Sequence, residues 1–116
     1  MAVDFPVELR NLRQTLASIL EVSDVEGLQK QVAELSEQAS APDLWDDPER
    51  AQQVTSKLSH VQSELDRLTR MTSRVDDLEV LVQMAEEESD ADTLAEAEAE
   101  LVEVTKALGE LEVRTL

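Results

Sequence analysis

Carboxylates are the residues best supplied for chemistry in this chain of 116: there are 27 Asp and Glu against 10 Lys and Arg, a formal charge of −17. Paired carboxylates do acid–base work only where a pocket perturbs them, and no spacing here places such a pair in one. The single histidine, His60, follows Ser59 on a polar helix face, and one imidazole builds neither a histidine relay nor a zinc site. Cysteine is absent, which excludes disulfides, zinc knuckles, iron–sulfur ligation and a thiol nucleophile. The two glycines, Gly27 and Gly109, stand alone and form no phosphate-cradling loop. The acidic run Glu86-Glu87-Glu88-Ser89-Asp90-Ala91-Asp92 lacks the alternating Asp-x-Asp-x-Asp-Gly pattern of a calcium loop and reads as a solvated turn. The chain is therefore expected to be non-catalytic, with no metal and no cofactor.

Two features suit recognition instead. Arg67, Arg70 and Arg74 recur at three- and four-residue spacing and share a helix face, within a stretch (48–75) holding five bases and three acids. They fit a contact with a phosphate backbone or an acidic protein, or ordinary pairing with the acids of the last helix. The stretch 86–116 holds two bases and eleven acids, so charge is unevenly divided along the chain. The second feature is Leu44-Trp45, in the segment Ser-Ala-Pro-Asp-Leu-Trp-Asp-Asp-Pro (40–48). Both side chains are too apolar for a solvated linker, and both are expected to anchor that loop against the bundle, the alternative for Trp45 being a binding hot spot.

The elements that carry these residues are helices. Seventeen Leu and thirteen Val lift the aliphatic content above that of a disordered chain, while one Phe, one Trp, no Tyr and two Gly argue against sheet. Leu9, Leu12, Leu16, Ile19 and Leu20 define a first helix over about 6–22, starting at Phe5-Pro6. Ser23-Asp24-Val25-Glu26 has the form of a capping box with Ser23 as the cap. It opens a second helix over 24–39, with Leu28, Val32, Leu35 and Ala39 on one face. Asp47-Pro48 reads as an N-cap followed by proline in the first helical position.

The third helix is expected over 48–88. Its stripe runs Val54, Leu58, Val61, Leu65, Leu68, Met71, Val75, Leu78, Val82, Ala85, with two consecutive three-residue steps at 65–68–71 that shift its phase. At 1.5 Å per residue it would span roughly 60 Å. The fourth helix, over 90–113, carries Leu94, Ala97, Leu101, Val104, Leu108 and Leu111. The short break makes helices three and four an antiparallel coiled-coil hairpin, with helices one and two packed across one end. The fold class expected is all-α: an elongated helical bundle forming a single domain over 1–116. The chain holds no run of eighteen apolar residues and no visible secretory signal, so it is expected to be soluble and cytoplasmic.

The segment Ala41-Pro42-Asp43-Leu44-Trp45-Asp46-Asp47-Pro48-Glu49-Arg50-Ala51-Gln52 resembles the N-terminal domain of the bacterial peptide chain release factor 2 family, class I release factors in which a Pro-Asp-x-Trp-x-x-Pro-x-x-Ala segment precedes a long helix. Residues 78–88, Leu-Glu-Val-Leu-Val-Gln-Met-Ala-Glu-Glu-Glu, and the ending Leu108-Gly-Glu-Leu-Glu-Val-Arg-Thr-Leu116 are similar to the family too. The resemblance implies a helical bundle that sits near the stalk base of the large ribosomal subunit, around ribosomal protein L11 and its ribosomal RNA. It also implies a part in termination at UAA and UGA codons and cooperation with release factor 3. In that family a Ser-Pro-Phe tripeptide reads the codon and a Gly-Gly-Gln motif triggers peptidyl-tRNA hydrolysis. Neither occurs in these 116 residues, so the chain is expected to be a domain of a longer factor, with no decoding or catalytic residue of its own. Composition alone leaves two other readings open. One is a free-standing acidic coiled-coil scaffold or adaptor, which would form a homo-oligomer. The other is a helical RNA-binding arm like that of seryl-tRNA synthetase, using Arg67, Arg70 and Arg74.

Overall fold

A computed structural model describes residues 3–116. The described residues form four α-helices and one 3-10 turn, with no strand: α1 (Phe5–Ser23), α2 (Val25–Ala39), the turn Leu44–Asp46, α3 (Pro48–Glu88) and α4 (Ala91–Thr115). None of these helices is long and apolar enough to cross a membrane. The chain divides into two compact units. One joins the residues up to Val22 with Arg70–Leu116; the other is Ser23–Thr69.

The first unit is a three-helix bundle. Phe5, Leu12, Leu16 and Ile19 of α1 meet Val75, Leu78, Val82 and Ala85 of α3 and Ala97, Leu101, Val104, Leu108 and Leu111 of α4, all buried. The three- and four-residue steps put these groups on one stripe of each helix. A two-residue connection, Ser89-Asp90, turns α3 back into α4 as an antiparallel hairpin, with Ser89 in the left-handed region at φ 49°. Leu94 departs from the expected stripe and is 38% exposed. It lies in the first turn of α4, next to the Ser89-Asp90 connection.

The second unit pairs α2 with the N-terminal half of α3 around Leu35, Leu44, Ala51, Val54 and Val61, supported by Leu28, Val32 and Leu58. Helix α1 contributes its stripe to the first unit and α2 to the second. The division in α3 falls between Thr69 and Arg70, inside the phase shift at 65–68–71. Each half of α3 serves a different partner, so its stripe is re-phased where the partner changes.

Helix starts are set by aspartates. The Asp4 carboxylate accepts from Val7 N at 3.3 Å, and that of Asp47 from Arg50 N at 3.2 Å, with Pro48 the first helical residue. The capping box is not formed as the sequence suggests. Ser23 remains in α1, and Asp24, at φ 53°, caps α2 by accepting from Gly27 N at 3.1 Å. A left-handed residue must break the two helices apart, and Asp tolerates that conformation better than most side chains.

Candidate functional site

The three candidate arginines lie on α3 and are not a bare cationic face. Arg67 Nη1 donates to Glu64 Oε1 one turn earlier, at 2.7 Å. Arg74 Nε donates to Glu100 Oε1 of α4 at 2.9 Å. Arg70 is exposed. These pairs are about one-third or more exposed, the regime in which an ion pair contributes roughly 0–1 kcal/mol. Their chemical consequence is larger than their energy, because a guanidinium already paired with a carboxylate offers less net charge to a phosphate.

A second arginine arrangement escaped sequence reading. Arg13, on α1, donates through Nη1 to Asp76 Oδ1 at 2.5 Å and through Nη2 to Glu79 Oε2, clasping two carboxylates one turn apart on α3. The hydrogen bond to Glu79, then that to Asp76, raises the guanidinium above its ordinary value, so it stays charged throughout. Beside it lies an open groove of about 400 Å³ with Phe5, Leu9 and Val82 as apolar lining and Arg10, Glu79 and Glu86 among the polar groups. The groove can hold an apolar side chain. It presents no thiol or imidazole, and no polar or charged side chain is buried among the described residues. Heptad spacing could not have disclosed the Arg13 clasp, because it gives faces and not which helix faces which.

The acidic turn at 89–92 is a helix cap. Asp90 accepts from Asp92 N at 3.0 Å and from the Thr93 hydroxyl at 2.9 Å. The Thr93 hydrogen bond, then the Asp92 amide, holds its carboxyl below the usual carboxylate range. Among the described residues no group of three or more His, Asp or Glu is arranged to hold a metal ion. His60 is exposed on α3.

The loop 40–47 divides its two apolar residues. Leu44 is 4% exposed and joins the core of its unit. Trp45 is 66% exposed, so the expectation that both side chains plug the loop is corrected for Trp45. The 3-10 turn is the reason: adjacent residues in it point in directions about 120° apart, at three residues per turn, and only Leu44 can face inward. What the described surface offers is recognition by charge and by one projecting aromatic ring.

The family described as PCRF domain matches residues 28–116. Peptide chain release factor 2 of Kineococcus radiotolerans is 62% identical over 116 residues, 100% of this chain and 32% of that protein. The protein of the same name from Beutenbergia cavernae is 64% identical over 116 residues, again 100% of this chain and 31% of the relative. That of Streptomyces avermitilis is 56% identical over 114 residues, 98% of this chain and 31% of the relative. The chain spans about a third of the length of these curated relatives.

Proposed function

Given that the chain belongs to the PCRF domain family, we propose that it is the non-catalytic N-terminal domain of a peptide chain release factor 2, and that it docks the factor on the ribosome during translation termination in the cytoplasm. The observation that carries this reading is similarity along the whole chain, at 62% identity to one such factor. Codon reading at UAA and UGA and the hydrolysis of peptidyl-tRNA belong, on this reading, to the remainder of the longer protein. The docking position is the stalk base of the large subunit, at ribosomal protein L11 and its RNA, with release factor 3 as a functional partner.

The physics supports an acidic docking module. Ribosomal proteins are mostly basic, and a surface with 27 acids against 10 bases is drawn to them from a distance, which speeds encounter more than it deepens final affinity. The reading as an RNA-binding arm has less support, because Arg67 and Arg74 each lie against a carboxylate. The test is to compare the full-length factor with a form lacking residues 1–116, measuring ribosome affinity and stop-codon-dependent peptide release. Deletion is expected to weaken ribosome binding, more at low salt than at high, and to do so less on ribosomes lacking L11. Equal affinity and release with and without the domain would refute the docking role.

A further inference from the structure

We infer that the Trp45 turn is a docking surface for an arginine-bearing segment of a basic protein. This goes beyond the reading above, since it assigns residues and a chemistry whichever assembly presents the segment. The chain has two aromatic side chains. Phe5 is buried at 5%, as an aromatic ring in a small helical protein normally is; Trp45 is left 66% exposed. A projecting indole leaves a large apolar face in water, and rings of this kind become the anchors of protein contacts when a partner covers them.

The turn that carries the ring is ordered. Leu44, the preceding residue, is locked into the core with Leu35, Ala51, Val54 and Val61. The turn itself is closed by Leu44 N to Ala41 O at 3.2 Å, Asp46 N to Asp43 O at 3.1 Å and Asp47 N to Leu44 O at 3.1 Å. Pro42 and Pro48 fix φ on either side. A surface ordered before contact loses less freedom on binding.

The charge around the ring selects the occupant. Residues 37–50 hold five acids (Glu37, Asp43, Asp46, Asp47 and Glu49) and one base, Arg50. Asp43 and Asp47 line a recess of about 130 Å³ with Gln38, Leu44 and Arg50. Asp43 makes no side-chain cap to the turn it begins. An arginine laid over the indole face gains the ring's attraction for a cation while its remaining N–H groups reach carboxylates, the fork geometry that guanidinium meets best. The same carboxylates repel a nucleic-acid backbone, an anionic membrane and a second copy of this chain, itself at −17.

Trp45 reports on its own contact, because it is the sole tryptophan and there is no tyrosine. The experiment titrates the 116-residue chain with a peptide of alternating arginine and serine, following acrylamide quenching of Trp45 fluorescence. Saturable protection of the indole is expected. The pair Asp43→Asn and Asp46→Asn is expected to weaken the peptide about fivefold or more. The control pair Glu103→Gln and Glu110→Gln, on exposed positions of α4, removes the same charge and is expected to leave affinity unchanged. Trp45→Ala, followed by calorimetry, is expected to cost about fivefold, the size of an exposed cation–π contact. Far-UV circular dichroism checks that each variant keeps its helices. An indole as open to acrylamide with peptide as without, equal weakening by both charge pairs, or equal protection by polyuridylate would overturn the inference.

Discussion

Gly27 and Asp24 depend on one another, and their coupling can be measured. The Asp24 carboxylate lies over the first turn of α2, accepting from Gly27 N at 3.1 Å. A β-carbon added at Gly27 would collide with Asp24 Oδ2 and sit 2.8 Å from Cγ. Rotating the carboxylate about its own axis leaves Cγ too close, so the side chain must swing away and the cap is lost. Losing an N-cap costs about 1 kcal/mol. Replacing Gly with Ala in a helix interior gains up to about 1 kcal/mol, and less in a first turn where fewer bonds depend on it. The stranded Asp24 would also keep its left-handed φ of 53° without the hydrogen bond that offsets it. Gly27→Ala should therefore destabilise the chain by roughly 0.5–1 kcal/mol, although glycine-to-alanine changes in helices ordinarily stabilise. In an Asp24→Gly background the obstruction is gone and glycine accepts the left-handed φ, so the same change should stabilise by about 0.5 kcal/mol. Urea unfolding of the four proteins by circular dichroism gives the cycle, with an expected coupling of about 1 kcal/mol or more. A Gly27→Ala effect of the same sign and size in both backgrounds would refute the reasoning.

Ile19, fully buried in the three-helix unit, should cost about 3 kcal/mol when cut to Ala, whereas Val113→Ala at an 81% exposed site should change stability by less than about 0.5 kcal/mol in the same urea titration. Arg13→Met should cost no more than about 1 kcal/mol, since the three side chains are between 37% and 55% exposed, and the difference should shrink in molar salt. Asp90 supplies a pH signature. Its folded carboxyl titrates below the ordinary 3.8, so its contribution is fully present above that value and is lost as the pH falls through the lower, folded one. Amide exchange at Asp92 and Thr93, corrected for intrinsic rates, should show protection fading only below about pH 4, and Asp90→Asn should remove that pH dependence.

The helical class and the stripes were legible because aliphatic groups at three- and four-residue steps leave little choice of period. Leu12, Leu16 and Ile19, or Leu101, Val104 and Leu108, could only face a core. The break at 40–48 was equally plain, with two prolines and clustered aspartates. Three things were not written in the pattern. Which stripe meets which is a tertiary outcome, so the assignment of α1 and α2 to different units could not be read from their order. Trp45 was placed by residue type, and type says nothing of the direction that a 3-10 turn imposes. The cap at Asp24 depends on a left-handed φ, and Ser23-x-x-Glu26 looks the same whether or not it forms. At the candidate site, Arg74 could be foreseen as pairing with an acid of the last helix, but the Arg13 clasp needed two helices already docked.

The three-helix unit has an interior of aliphatic and aromatic carbon alone; no polar or charged side chain is buried among the described residues. Leu and Val fit one another nearly as well after a slip of one heptad, so such an interior favours contact without dictating alignment. Alignment is then left to the connections and the perimeter. Arg13 spans Asp76 and Glu79, and Arg74 meets Glu100, each a mark that matches at only one offset. Weak as these pairs are energetically, the Arg13 clasp acts as the vernier that sets α1 along α3, while the two-residue connection Ser89-Asp90 already holds α3 and α4 to one setting.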